Sequence, residues 1–203
     1  MTQKAYYWYR PHPYFDEFYS GKVLNLIVDK EIIAKYLPDP EHQALVQKYF
    51  PDGLSPHGLS MLMSVRQYST HGWEAITEII FELVRQLHFP ESPSRLTSLY
   101  ASMSRADSVK WAQLWYHHFQ DITGQVAHEL WEIEFDSDVR LYDASLLALS
   151  TDDHSNDFSY LHALENAHRY WRREFSSNPI PELIIPYPVT VRRLCRDMIS
   201  EGK

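Results

Sequence analysis

Pro181-Glu182-Leu183-Ile184-Ile185-Pro186, near the C-terminal end of the chain, is the stretch that decides the fold. Three branched apolar residues between two prolines predict a short buried β-strand, because proline cannot donate to a sheet ladder and therefore ends it. Glu182 lies at the start of this strand. Carboxylates are mostly exposed in folded proteins, so the strand by itself predicts a solvated Glu182 at the lip of a sheet. Any other role for Glu182 has to follow from the rest of the chain.

The composition predicts one folded domain over residues 1–203. Hydrophobic residues make up 44% of the chain and aromatic residues 14%, which suffices for a packed core. The formal net charge of −8 argues against a sequence-independent binder of polyanions, since clustered Lys and Arg supply that affinity. The only cysteine, Cys195, excludes an internal disulfide and a zinc site built from cysteines. The histidines show no paired spacing such as H-E-x-x-H, so we expect no metal.

Targeting segments are not evident in the sequence. The N-terminus lacks the apolar core of a signal peptide, and no apolar run reaches the length of a membrane span. We therefore expect a cytoplasmic protein without a membrane partner, acting in its own cell or delivered to a target cell.

The first part of the chain predicts one strand followed by a helical block. Ala5 to Arg10 is rich in aromatic residues that favour a strand, and Pro11 ends that strand after Arg10. Residues 23–28 form either a strand or the approach to a helix. Further helices are predicted over residues 41–50, 56–67 and 73–89, so that the block extends from residue 30 to residue 89.

The predicted helix over residues 73–89 is strongly amphipathic. Apolar residues three and four positions apart predict the buried side, namely Trp73, Ile76, Ile80, Leu83 and Leu87. The opposite side carries Glu74, Glu78, Glu82 and Arg85. We interpret the helix as a scaffold and assign it no chemistry.

Ser94 to Ser102 predicts a second strand, since its residue types alternate. One face carries Leu96, Ser98, Tyr100 and Ser102. This polar face is either the wet side of an edge strand or the wall of a ligand cleft. Ser104 then caps a helix predicted over residues 105–119.

The last third of the chain adds two more strands and a helix. Leu130 to Phe135 alternates cleanly and predicts a half-buried strand, and residues 158–175 predict a helix. Val189 to Leu194 predicts a final strand that pairs with Glu182 to Ile185 across the turn at residues 186–188. The predicted fold class is therefore α+β.

Three of these features occur in an order that resembles the ADP-ribosyltransferase family. They are Arg10 at the end of the first strand, a serine-rich strand from Ser98 to Ser102 that leads into a helix, and Glu182 directly before Leu-Ile-Ile-Pro. In the arginine, serine, glutamate branch of that family, the same residue types follow in the same order. The segment Pro93-Ser94-Arg95-Leu96-Thr97-Ser98 also resembles the P-S-R-L-x-S motif of a bacterial group that we associate with this fold.

The resemblance implies a fold, a substrate and a set of site residues. The fold would consist of split antiparallel β-sheets with a helical block between the first and second sheet motifs. NAD would be the substrate, no metal would take part, and Glu182 would be the catalytic residue. The residues expected to bind NAD are Arg10, Arg95, Ser98, Tyr100 and Ser102. Arg95 would act as a second arginine or would position Glu182, and a serine would orient Glu182 or the nicotinamide amide.

The implied function is an NAD-dependent mono-ADP-ribosyltransferase, a bacterial or phage-related toxin or effector. Two departures from the family pattern leave details open. The serine strand is S-L-Y-A-S rather than S-T-S, so either Ser98 or Ser102 is the motif serine, and Ile180 stands where relatives carry an acceptor-selecting Glu or Gln. The alternatives are an NAD glycohydrolase on the same fold and a non-enzymatic protein-interaction domain. The acceptor, protein or nucleic acid, and an antitoxin or chaperone partner also stay open.

Overall fold

The computed structural model describes residues 2–9, 18–64, 72–111, 129–147 and 160–195, which form a mixed α+β structure with antiparallel sheets. The strands are β1 (Gln3–Tyr9), β2 (Val23–Leu24), β3 (Ser98–Ala101), β4 (Glu129–Phe135), β5 (Leu141–Asp143), β6 (Pro181–Pro186) and β7 (Val189–Cys195). The helices are α1 (Lys30–Tyr36), α2 (Pro40–Tyr49), α3 (Pro56–Ser64), α4 (Gly72–His88) and α5 (Tyr160–Trp171). Residues 105–111 are also helical, and short 3-10 turns cover Arg95–Thr97 and Ala144–Leu147.

The strands form two separate sheets. The four-stranded sheet has the order β1-β4-β7-β2, and the three-stranded sheet has the order β3-β6-β5. All strand pairs are antiparallel. A single bridge between Tyr6 and Ser102 joins the two sheets at β1 and the end of β3. The strand that contains Glu182 is therefore the central strand of the smaller sheet.

The three-stranded sheet lies between the larger sheet and two helices. Alternate residues of β3 and β6 pack against the four-stranded sheet, in a core of Ala5, Leu99, Ala101, Ile133, Phe135, Leu183, Ile185 and Val189. The opposite face packs on α4 and α5, in a second core of Ile80, Phe81, Val84, Tyr142, Leu146, Ala163, Ala167, Tyr170, Trp171 and Ile184. Because side chains alternate along a strand, Glu182 shares a face with Ile184 and points toward the helices.

The predicted helical block is confirmed. Asp29 and Asp39 cap α1 and α2 by accepting the backbone N–H groups of Glu31 and Glu41, as short polar side chains do at helix starts. Helices α1, α2 and α3 share a core that includes Leu96 of the 3-10 turn, together with Ile33, Tyr36, Leu37, Val46, Leu54 and Leu59. This core ties the block to the segment that leads into β3. Within the described residues, none of the helices is both long enough and apolar enough to cross a membrane.

Helix α4 forms where it is predicted, but the prediction of its buried side is wrong for Ile76, Leu83 and Leu87 and is confirmed for Ile80, which is 7% exposed. Four of its apolar side chains are exposed, namely Ile76, Ile79, Leu83 and Leu87. Glu78 and Glu82 are each only 6% exposed and face inward with Phe81. Apolar spacing locates an apolar stripe, but inward-facing acids are tolerated wherever cationic partners meet them. Glu78 pairs with Arg95, which lies outside the helix, and Glu82 pairs with Arg85 in the last turn of α4.

Two further predictions about strands require correction. The predicted strand over Ser94–Ser102 begins only at Ser98, because the Ser94 side chain accepts the backbone N–H of Leu96 and caps a 3-10 turn. The predicted hairpin of β6 and β7 does not form, and β7 pairs with β4 and β2 in the other sheet. Pro186 and Pro188 lack the N–H donors that a ladder across this turn would need.

Several predictions extend beyond the described residues, among them the helices over residues 56–67 and 158–175. The first strand is Gln3–Tyr9, and the predicted strand end and ligand residue Arg10 lies outside the described residues. The helix predicted over residues 105–119 is described for residues 105–111 only. For residues 23–28, predicted as either a strand or the approach to a helix, the structure shows a short strand at Val23–Leu24, and α1 begins at Lys30.

Candidate functional site

Glu182 is buried on the helix-facing side of β6. The residue is 1% exposed, so the prediction of a solvated Glu182, made from the strand alone, is wrong. Its Oε1 atom accepts a hydrogen bond from Arg95 Nη1 at 2.5 Å and another from the Tyr170 hydroxyl at 2.5 Å. Arg95 Nη1 also donates to the Tyr170 hydroxyl at 2.5 Å, which closes a triangle of polar contacts. A charged carboxylate is retained in the core because a cation and a hydroxyl meet it there.

Arg95 is the centre of a cluster of side chains and is itself only 3% exposed. The members of the cluster are His57, Glu78, Arg95, Tyr100, Tyr170 and Glu182. Its Nε and Nη2 atoms donate to the two oxygens of Glu78 on α4, each at 2.9 Å. Its guanidinium lies 4.3 Å from the ring centroid of Tyr100 and 5.3 Å from that of Tyr170. Two carboxylates and two aromatic rings therefore surround one cation, a combination that suits the planar fork of arginine.

The charges in the cluster are held by their mutual contacts. Burial lowers the pKa of Arg95, but Glu182 and Glu78 outweigh that effect and raise it well above its usual value. Burial raises the pKa of Glu78, but Arg95 and His57 outweigh it and hold that pKa well below its usual value. Burial also raises the pKa of Tyr170, so its hydroxyl remains a proton donor to Glu182 at neutral pH.

The 3-10 turn that carries Arg95 is fixed from several sides. The Ser94 hydroxyl donates to Glu82 Oε2 at 2.9 Å, and the Tyr100 hydroxyl donates to the backbone carbonyl of Arg95. The carbonyl of Leu96 accepts the Ser55 hydroxyl at 2.9 Å and the Ser55 backbone N–H at 3.0 Å. The backbone of the turn is therefore held between α4, β3 and the start of α3.

Gly58 allows α3 to approach this turn closely. A Cβ atom at position 58 would lie 2.1 Å from the backbone carbonyl oxygen of Leu96, so a larger residue would push the helix away. The approach brings His57 to the cluster, with its Nε2 atom 3.2 Å from Glu78 Oε1 and its ring edge-on to Tyr100. The His57 side chain is 29% exposed. It is therefore the most accessible member of a chain of contacts through Glu78 and Arg95 to Glu182.

Asp143 anchors the segment that delivers Glu182. This fully buried carboxylate accepts the backbone N–H groups of Ile180 at 2.9 Å, Ser176 at 2.8 Å and Ser145 at 3.0 Å. Burial raises the pKa of Asp143, but these backbone donors outweigh it and lower that pKa below its usual value. The chain before β6 is thus fixed two residues ahead of Glu182.

Three of the predicted site residues lie together, whereas the two serines lie at opposite ends of β3. Arg95, Tyr100 and Glu182 belong to one cluster of contacts. Ser98 lies opposite Pro186 in the β3–β6 pair, about 13 Å along the strand from Glu182. Ser102 follows the pair of Ala101 and Leu183 and so lies at the Glu182 end of β3. Both serines are buried, and the roles expected of them stay predictions.

Sequence patterns do not predict three members of the cluster, namely His57, Glu78 and Tyr170. Glu78 was hidden by the assumption that the acidic side of an amphipathic helix faces water. A signal was nevertheless present, because apolar residues occur on every side of α4 and the inward set includes Phe81 and Val84. Tyr170 lies in the helix predicted over residues 158–175, which the structure describes as Tyr160–Trp171, but the helix pattern does not show that the hydroxyl would meet Glu182.

A comparison with protein families identifies one match. The model of a family described as a protein of unknown function, DUF2441, matches residues 12–199. The chain belongs to the DUF2441 family. The matched region of this DUF2441 chain contains all the residues of the cluster, from His57 to Glu182. No curated protein matches the chain.

The DUF2441 cluster combines groups that can stabilise a developing positive charge. An ionised carboxylate surrounded by low-polarity side chains acts more strongly on a nearby charge than the same group in water. Glu182 is 1% exposed, and Arg95 and Tyr170 hold its Oε1 atom in place, although Arg95 also offsets its charge. His57 and Tyr100 are the partly exposed members of the cluster.

Proposed function

We propose that this chain is an NAD-dependent mono-ADP-ribosyltransferase that acts in a cytosol as a bacterial or phage-related toxin or effector. The observation that carries the proposal is the contact of Arg95 with Glu182, two residues 87 positions apart, next to the ring of Tyr100. The resemblance to the transferase family implies a role for these same three residues. Two antiparallel sheets with a helical block between β1 and β3 also support the proposal.

The proposed reaction replaces the bond between nicotinamide and ribose. Nicotinamide leaves with the bonding electron pair, and the ribose carbon develops an oxocarbenium-like positive charge. The carboxylate of Glu182 stabilises that charge. Because the charge appears mainly in the transition state, this stabilisation accelerates the chemical step. A nucleophile of a protein or nucleic-acid acceptor then forms the new bond and releases a proton.

Glu182 has to become accessible for this reaction. Arg95 and Tyr170 cover its carboxylate, and the whole residue is 1% exposed. The NAD pyrophosphate is an anion that competes with Glu182 for Nη1 of Arg95, since arginine binds phosphate oxygens as it binds carboxylate oxygens. In this proposal, Nη1 of Arg95 turns from Glu182 to the pyrophosphate while Nε and Nη2 stay on Glu78, and the carboxylate of Glu182 is freed.

The test is nicotinamide release from NAD by the purified chain, with and without cell lysate. Glu182→Gln keeps the size of the side chain and is expected to lower the rate by at least about 100-fold. Glu132→Gln is a matched control, because Glu132 is a buried strand carboxylate, 4% exposed, outside the cluster. Equal rates in wild type and Glu182→Gln would refute the proposal, as would the absence of NAD turnover under both conditions.

A second candidate is NAD hydrolysis with water as the acceptor. Ile180 stands two residues before Glu182 and offers no polar side chain to select an acceptor. Its backbone N–H donates to Asp143 and its carbonyl accepts the N–H of Ala144, so this position serves to anchor the chain. Nicotinamide release without lysate would favour the hydrolase, whereas transfer of label from NAD to a lysate component would favour the transferase. The absence of both activities would favour the third alternative, a non-enzymatic interaction domain.

A further inference from the structure

We propose that Glu78 is a positioning residue of this site, which acts on Glu182 by fixing the guanidinium of Arg95. The expected effect of Glu78 on the rate of nicotinamide release rests on the proposed function above. The expected effect on the stability of the fold does not, because it concerns contacts among side chains that are present without substrate.

The guanidinium of Arg95 has two sides with different tasks. The side with Nε and Nη2 faces Glu78, where two parallel hydrogen bonds of 2.9 Å form a bidentate pair. The remaining nitrogen, Nη1, is thereby directed at Glu182 and the Tyr170 hydroxyl, each at 2.5 Å. Bidentate pairing fixes the plane of the fork as well as its position. Glu78 therefore determines the direction of the bonds that Arg95 makes to Glu182.

Glu78 also has a rigid base of support. It lies near the middle of α4, between Ala75 and Phe81, which are fully buried. His57 adds a contact of 3.2 Å to the Oε1 atom of Glu78 from the start of α3. Side chains locked by packing and by further polar contacts hold reacting groups more accurately than isolated ones. This arrangement is what a positioning role requires.

The variant to test is Glu78→Gln, which keeps the shape of the side chain. Its amide nitrogen would meet a donor nitrogen of Arg95, so one bond of the bidentate pair is lost and the fork turns. Because small misplacements are costly in catalysis, we expect kcat for nicotinamide release to fall by about 10- to 100-fold. Glu78→Asp, which keeps the charge, serves as a second variant if Glu78→Gln does not fold.

Glu132→Gln is the matched control. Glu132 is buried to a similar degree, at 4% exposed, and pairs with Arg193 at 2.9 Å in the other sheet, outside the cluster. We expect its substitution to leave the rate at the wild-type value measured on folded protein. An equal loss of rate in both variants would overturn the inference, because the loss would then follow from the removal of any buried acid.

The decisive experiment repeats Glu78→Gln in an Arg95→Ala background. If Glu78 acts only through Arg95, the second substitution causes no further fall in kcat. If the two losses multiply, Glu78 acts independently and the inference is wrong.

A stability cycle separates this inference from the proposed function. Should wild type release no nicotinamide, the proposed function fails, and the inference is tested by unfolding Glu78→Gln, Glu182→Gln and the double variant. Coupling through Arg95 predicts a departure from additivity of about tenfold in the unfolding equilibrium constant. Additive effects would overturn the positioning role whether or not NAD is the substrate.

Discussion

Each sheet buries a carboxylate on an interior strand, and the two carboxylates are neutralised in different ways. Glu182 on β6 is 1% exposed and meets Arg95, whose side chain is only 4% exposed. Glu132 on β4 is 4% exposed, but its partners Lys4 and Arg193 have side chains 60% and 70% exposed. The first pair is removed from water on both sides, whereas the second keeps its cations in solvent.

The difference shows which cluster is costly for the fold. Removing two charges from water carries a large desolvation penalty, which their attraction offsets only when further hydrogen bonds satisfy them. A buried acid with solvated cations avoids most of that penalty, and its contribution to stability is small. The network around Arg95 is therefore the more unusual feature, and it lies where the resemblance to the transferase family predicts the site.

The largest expected effect comes from Arg95→Ala. The substitution leaves Glu78 and Glu182 buried without their shared cation, so we expect the free energy of unfolding to fall by about 3–5 kcal/mol. Urea denaturation followed by circular dichroism measures the change. A loss no greater than that of Lys4→Ala would show that the two clusters do not differ as the comparison requires.

A smaller effect is expected from Tyr170→Phe. The substitution removes the hydroxyl that donates to Glu182 and should lower the free energy of unfolding by about 1.5–3 kcal/mol, as for hydrogen bonds to charged groups. Tyr160→Phe is the control, since Tyr160 lies on the same helix and is 57% exposed. If the two variants unfold at the same urea concentration, Tyr170 does not hold Glu182.

Acid should weaken the buried cluster through Glu78. Its folded-state pKa lies well below the ordinary value of 4.5, so the folded state binds fewer protons than the unfolded state as pH falls through that value. The stabilisation is therefore present above about pH 4.5 and is lost toward lower pH. Urea midpoints between pH 6 and pH 2.5 should fall less steeply in Glu78→Gln than in wild type. Parallel curves for the two proteins would contradict the assignment.

The smallest effect is expected from Lys4→Ala. Because Lys4 is largely solvated, its loss should lower the free energy of unfolding by no more than about 1 kcal/mol. Salt screens exposed charges more than buried ones, so the difference from wild type should shrink at high ionic strength. The loss caused by Arg95→Ala should persist under the same conditions. A salt-independent effect of Lys4→Ala would place its contact with Glu132 among the buried ones.

Sequence patterns predicted most of the helices and strands and part of the site. The order of Arg10, the serine-rich strand and Glu182 resembles that of a known family and singles out Glu182. Arg95 and Tyr100 are expected to assist it, and the structure brings Arg95, Tyr100 and Glu182 into one cluster. The patterns did not predict that Glu78 would join them. An inward-facing acid is favourable only when its cation is present, and Arg95 lies 17 positions further along the chain.

The sequence by itself determined the α+β class, the helical block and the buried strand of Leu183, Ile184 and Ile185, because propensity, proline placement and apolar spacing act over a few residues. Only the tertiary structure decided that α4 turns Glu78 inward and that β6 and β7 belong to different sheets. Both outcomes depend on partners distant in sequence. The charge of Glu182 is balanced by Arg95, 87 residues before it, and no local pattern contains that contact.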